Sequence, residues 1–235
     1  MFILKEKKIL KTIERQSEAV FSSSERQASY QAAEKSFNFI DVPARQNIEL
    51  AIGNAVPLTI NDDSFPGFYF AIAVLGNWGG FTGRLMQTVR EKEGLTYSIY
   101  ARTEGFTSSL SGHWRIFTFF DPSVFSSGIS SIKKQLSLLH NKGITDDELT
   151  RFKSILHTRD VLLRDSIERY TDFLHYHAKV DLSLQVYTEL QERLQDLTQS
   201  DVNQAIRNHL SSDSLKISAA GPVQQVGSQL RAHLT

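Results

Sequence analysis

The stretch Leu75-Gly76-Asn77-Trp78-Gly79-Gly80-Phe81-Thr82-Gly83-Arg84-Leu85-Met86-Gln87-Thr88-Val89-Arg90-Glu91-Lys92-Glu93-Gly94-Leu95-Thr96-Tyr97 carries the densest pattern in the chain. It follows a nearly unbroken apolar run, Phe65 to Leu75, such as a helix buried on most sides would show. Gly76, Gly79, Gly80 and Gly83 interrupt that helix and allow close backbone packing before a second helical piece, Arg84 to Lys92. A strand-like run, Thr96-Tyr97-Ser98-Ile99-Tyr100, comes next. Two phosphate-binding patterns fail here. No lysine follows the glycines in the P-loop frame, and the dinucleotide frame G-x-G-x-x-G is absent.

Toward the N-terminus, residues 6–20 read as a helix and 22–27 as a polar loop. Phe37 to Val42 reads as a strand stopped by Pro43. Ile48 to Ile52 alternates with period two, which places Ile48, Leu50 and Ile52 on one buried sheet face against helix 65–75. Toward the C-terminus, His113 to Phe120 reads as a further strand. Asp121-Pro122 combines a cap with proline at the first helical position, and the helix it opens ends near Gly143. Thr145-Asp146-Asp147-Glu148 is a capping box. Helical pattern then runs to about His209 with a break at Leu197 to Ser200. Leu215 to Ser218 is a last strand and Val223 to Leu234 a closing helix. Strands interspersed with pairs of helices predict an α+β fold, a two-layer sandwich with a mainly antiparallel sheet and helices on one face.

Composition narrows the function. The 235 residues hold 26 Lys plus Arg against 26 Asp plus Glu, so the basic excess of a nucleic-acid binder is missing. Apolar content of 40% and charged content of 22% predict a soluble globular chain. The longest uncharged run, Ser64 to Thr82, is broken by Pro66 and four glycines, which argues against a membrane span. Met1 to Lys8 lacks the apolar stretch of a signal peptide, and the compartment stays open between periplasm and cytoplasm. With no cysteine, thiolate zinc sites and cysteine nucleophiles are excluded.

The seven histidines, His113, His140, His157, His175, His177, His209 and His233, fit neither H-E-x-x-H nor H-x-x-E-H. His175 and His177 form the one close pair. Two positions apart on a helix they diverge by about 200°, so solvated helix histidines is the better reading. No G-x-S-x-G elbow marks a serine nucleophile.

The opening stretch resembles the pitrilysin/insulinase family of zinc metallopeptidases, which includes the mitochondrial processing peptidase. The resemblance rests on Gly79-Gly80, on Arg84-Leu85, and on Arg90-Glu91 through Gly94-Leu95 to Tyr97. Asp41 to Gln46, Gly143 to Leu149 and Leu197 to Val202 resemble further family junctions, so it spans roughly residues 36–221. The strand that usually opens this half is missing or reduced to Phe2-Ile3-Leu4, and Asn77-Trp78 reads as an insertion.

The resemblance implies that residues 1–235 form a single domain, the C-terminal half that lacks the zinc motif. Zinc is then expected in a homologous partner half, on the same longer chain or a separate subunit, with no cofactor in this chain. The two halves would close over a peptide substrate. Arg90 and Tyr97, seven residues apart, would donate to the substrate and to its carbonyl oxygen, with Gly79 and Gly80 lining the peptide site. The chain alone would be inactive. A scaffold subunit without proteolytic role, or a peptide-binding module working by strand addition, are the alternatives. Both residues also have plain structural explanations: Arg90 as a helix-end cation paired with Glu91 or Glu93, Tyr97 as a half-packed strand aromatic. Arg84 reads as structural, bracing the glycine turn.

Overall fold

A computed structural model describes residues 36–76, 82–180, 182–210 and 215–227. The expected helix over 6–20, the loop over 22–27, the Phe2-Ile3-Leu4 remnant, Asn77-Trp78, Gly79 and Gly80 lie outside the described residues. So does most of the expected closing helix, of which the described part is a 3₁₀ turn, Val223–Val226.

Among the described residues, five strands form one sheet: β1 Ser36–Asp41, β2 Ile48–Ala55, β3 Ile99–Glu104, β4 His113–Phe120 and β5 Lys216–Gly221. Their spatial order is β1-β5-β2-β4-β3. Only β1 and β5 run parallel; β5 with β2, β2 with β4 and β4 with β3 are antiparallel. Alternation in the sequence sorts the two faces. In β4 the residues Trp114, Ile116, Thr118 and Phe120 are buried, while His113, Arg115, Phe117 and Phe119 point to the open face. Ile48, Leu50 and Ile52 of β2 are likewise buried and belong to the same core as Phe68, Phe70 and Ile72. The α+β sandwich with a mainly antiparallel sheet is therefore present.

The first helix, α1 (Phe65–Gly76), buries every residue except Tyr69. It needs no apolar stripe, because it touches β3 on one side and a late helix, Gln199–His209, on the other. After it come α2 (Phe125–Lys142), α3 (Asp146–Asp165), α4 (Ile167–Lys179), α5 (Leu184–Asp196) and α6 (Gln199–His209). The Asp121 carboxylate accepts from Ser123 N–H with Pro122 next, and Gly143 caps the far end of α2. Both halves of the Thr145–Glu148 capping box are formed.

Two expectations need correction. The helical tract after Thr145 breaks at two places besides Leu197, because Ser166 and Ser183 each turn a side-chain oxygen back onto a backbone N–H and start a new helix. Of the histidine pair, His175 is exposed but His177 is buried. Its ring lies 3.9 Å from Phe173, centre to centre, and its Nδ1 is 2.8 Å from the Phe173 carbonyl. It is a packed residue rather than a solvated one.

Candidate functional site

Helix α1 ends where backbones meet without side chains between them. A Cβ on Gly83 would stand 2.6 Å from the Gly76 Cα, and one on Gly76 would stand 2.6 Å from the Ala101 nitrogen. Only glycine fits either position. From this contact the chain enters Arg84-Leu85 and then a π-helix, Met86–Lys92, the element the sequence reading had as an ordinary helix. Single π turns of this kind are rare and frequent at functional sites. Its end is fastened by three backbone bonds of different span: Glu93 N–H to Thr88, Gly94 N–H to Arg90 and Leu95 N–H to Val89, each 3.0 Å. Gly94 makes the turn at φ 64°, with nothing within 4 Å of where a Cβ would be. Conformation, not crowding, requires glycine there.

This turn brings Arg90 and Tyr97 together. The Arg90 guanidinium carbon lies 5.0 Å from the centre of the Tyr97 ring, within cation–π range. Arg90 Nη1 also stands 3.8 Å from the Met86 sulfur, one helical turn back. Tyr97 is 76% exposed. A tyrosine that open contributes little to the core, and the half-packed strand aromatic is not what stands here.

Tyr97 does not lie in a strand. The expected strand from Thr96 begins only at Ile99, since hydroxyls replace the ladder over Thr96-Tyr97-Ser98. Thr96 Oγ1 donates to the Phe119 carbonyl at 2.6 Å and accepts from Ser98 N–H at 3.3 Å. Thr118 Oγ1, fully buried, donates to the Ser98 carbonyl at 2.9 Å. Two threonines thus pin the loop to β4 and leave the Tyr97 side chain outside it. Neither threonine was singled out by sequence reasoning; the signal was their exchange of hydroxyl for backbone partners across 22 residues, which no local pattern carries.

Arg84 is structural: among the described residues it binds not the glycine turn's neighbours but the start of α3. Its Nε and Nη2 grip the two Glu148 oxygens at 2.7 and 2.6 Å, and Nη2 also donates to the Gly143 carbonyl at 2.8 Å. Burial pushes the Glu148 carboxyl up; the Arg84 fork, the Thr145 N–H and the Arg84 charge outweigh it, and the net pKa lies below the ordinary value. The pair clamps the start of the π-helix to the cap of α3.

Among the described residues no group of three or more His, Cys, Asp or Glu side chains stands together as metal ligands. Gly79 and Gly80 lie outside the described residues, so only Arg90 and Tyr97 of the sequence-predicted site are placed.

Residues 4–156 match the family model described as the peptidase M16 inactive domain, which is more than half of the 235 residues. An uncharacterised zinc protease of Streptomyces coelicolor is 37% identical over 73 residues, 31% of this chain and 16% of that protein. The non-peptidase homolog YmxG of Helicobacter pylori is 27% identical over 144 residues, 60% of this chain and 32% of its own length. A crystal structure of a peptidase M16 inactive domain from Pseudomonas fluorescens superposes with a TM-score of 0.67 at 24% identity. That match covers 80% of this chain and 44% of the other. The matches thus span less than half the length of these relatives.

Proposed function

The chain belongs to the peptidase M16 inactive-domain family, and we propose on that basis that it serves as the zinc-free half of a zinc endopeptidase, closing over a peptide held by a zinc-bearing partner half. The observation that supports this reading is the Arg90–Tyr97 pair, a guanidinium whose carbon stands 5.0 Å from the centre of an exposed tyrosine ring. Amide hydrolysis builds negative charge on the substrate carbonyl oxygen. A Tyr97 hydroxyl donating to that oxygen stabilises the charge more in the transition state than in the ground state. Arg90, with five donors in a planar fork, suits neighbouring peptide carbonyls. The metal, supplied by the partner, would activate the water; this chain contributes donors and the wall that excludes solvent. Gly79 and Gly80 are assigned to the same peptide-binding wall by their place in the motif, and residues 1–235 are taken as one domain of the assembly.

A second reading is favoured by one finding, the name non-peptidase homolog carried by the Helicobacter relative. On that reading the chain is a scaffold of the same fold. Mixing the chain with the zinc-bearing half and following hydrolysis of a quenched fluorescent peptide separates the two. Activity that requires both components supports the peptidase half. Hydrolysis by the partner alone at the same rate leaves the scaffold reading. Elemental analysis of the dialysed chain by itself is expected to find no stoichiometric zinc.

A further inference from the structure

The strand register sorts the charges on the open face of the sheet. One cross-strand row holds Lys216 of β5, Gly53 of β2, Arg115 of β4 and Arg102 of β3, each directly opposite the next. Strands lie about 4.8 Å apart, so Lys216 and Arg115 flank Gly53 with their backbones about 10 Å apart and no side chain between. The neighbouring strand requires glycine there, because a Cβ would collide with the Trp114 carbonyl oxygen. What results is a shallow trough floored by Ala51, Gly53 and Ala55, with His113 and Arg115 along one side and Lys216 along the other. Charge on this row is unbalanced. Glu104, two residues beyond Arg102, is already shared: Arg115 holds it through Nε at 2.8 Å and Nη2 at 3.1 Å, and Arg102 pairs with it as well. His113 Nε2 stands 3.1 Å from the same carboxylate. Two guanidiniums on one carboxylate leave one positive charge over, and Lys216 adds a second across the trough. No acidic side chain lines it. Glu49, also on this face, is four residues away along β2, about 13 Å. A solvated face scatters its charges; here three cations share one row.

We infer that this row is a subsite for an acidic residue, Asp or Glu, of a peptide lying extended along the open face of the sheet. The inference rests on the peptide-binding reading above and gives it a substrate class. The row is continuous with the Arg90–Tyr97 pair, because β3 begins at Ile99, two residues after Tyr97, and Arg102 follows three residues later. At 3.3 Å per residue the row lies about 17 Å from Tyr97, a distance that roughly five extended residues cover. A trough open at both ends suits a chain that enters and leaves, which an enclosed pocket would not. The charges set the selectivity. A carboxylate over Gly53 meets Arg115 and Lys216 from opposite sides. A basic side chain is repelled by both, and a neutral one gains from neither, so the row discriminates by repulsion as well as by attraction.

The test uses the whole chain and fluorescent peptides of one neutral background, carrying Glu, Gln or Lys at a single scanned position. Anisotropy titrations at low ionic strength should find Glu bound about fivefold tighter than Gln at its best position, and Lys weaker than Gln. The gap should shrink in high salt, since the trough is open to water. Lys216→Glu, an exposed substitution that reverses the charge of one wall, should abolish the gap and leave the Gln peptide bound as before. Ser218→Asp places a carboxylate in the trough without removing a cation, and should abolish it as well. Melting curves establish that both variants fold. A preference for Glu that survives in either variant, or equal binding of the three peptides by the wild-type chain, overturns the subsite while leaving the Arg90–Tyr97 reading in place. Failure of the wild-type chain to bind any of the peptides overturns both.

Discussion

Arg90 and Tyr97 face each other across a turn whose middle residue, Gly94, has φ 64°. Nothing in the core requires this contact, since Tyr97 is 76% exposed. The guanidinium over the ring limits the rotamers open to the tyrosine, and the threonine bonds beneath limit its backbone. An exposed phenol held this way is positioned before any ligand arrives, which lowers the ordering cost of binding.

Tyr97→Phe separates chemistry from packing. The ring and its contact with Arg90 remain, and only a solvent-facing hydroxyl is lost, so stability should change by less than about 1 kcal/mol. Peptide hydrolysis by the two-half assembly should fall on the order of 100-fold or more, in kcat rather than KM. Arg90→Lys keeps the charge but not the planar fork, and should lower activity as well. Steady-state kinetics beside thermal melts decide the matter. Wild-type turnover from folded Tyr97→Phe would remove the hydroxyl from the mechanism.

Gly94→Ala tests the turn. Its Cβ meets nothing, so any effect comes from forcing an L residue into the left-handed region, about 1–2 kcal/mol. For a chain of this size that corresponds to a drop of roughly 2–8 °C in Tm. Gly94→Asn should recover part of it, because asparagine tolerates this conformation. If alanine melts with wild type, the turn does not depend on its φ.

Thr118→Val removes the buried hydroxyl at nearly constant volume and leaves the Ser98 carbonyl without that donor. A loss of about 1–3 kcal/mol is expected. Faster hydrogen exchange should be confined to residues 96–98 and the start of β3. Exchange unchanged there, with stability lost elsewhere, would show that Thr96 alone holds the loop.

The sheet was legible because its strands alternate. β2 and β4 each place buried residues at every second position, and helix α1 is apolar throughout. Caps were legible because Thr145–Glu148 and Asp121-Pro122 act within four residues. The pairing of Arg90 with Tyr97 followed from their shared motif. Their placement did not, because the loop that carries Tyr97 is set by Thr118, far along the chain and on another strand. The Arg84 partner was not legible for the same reason: Glu148 is 64 residues away. Glu148 itself was read as a cap, and it is one, but its second role needed three dimensions. The starts of α4 and α5 were missed because Ser166 and Ser183 are single polar residues in an already polar tract.

The Arg84–Glu148 pair gives the chain a defined response to acid. Both side chains are largely buried, at 16% and 11% exposure, so removing one partner leaves a charge out of water. Arg84→Met should therefore destabilise by roughly 3 kcal/mol at pH 7. The sign of the pH effect follows from the direction of the Glu148 shift. Its pKa in the folded chain lies below the ordinary 4.5, so the pair's contribution is fully present above that value and is lost as pH falls through the folded one. In Arg84→Met the carboxylate has lost its cation, burial dominates, and its pKa should rise above 4.5 instead. Below both values the carboxyl is protonated in either protein, and the stability gap should narrow. Urea titrations of both proteins between pH 3 and pH 7 measure this directly. A gap that stays constant across that range would mean that Glu148 is not the group Arg84 stabilises.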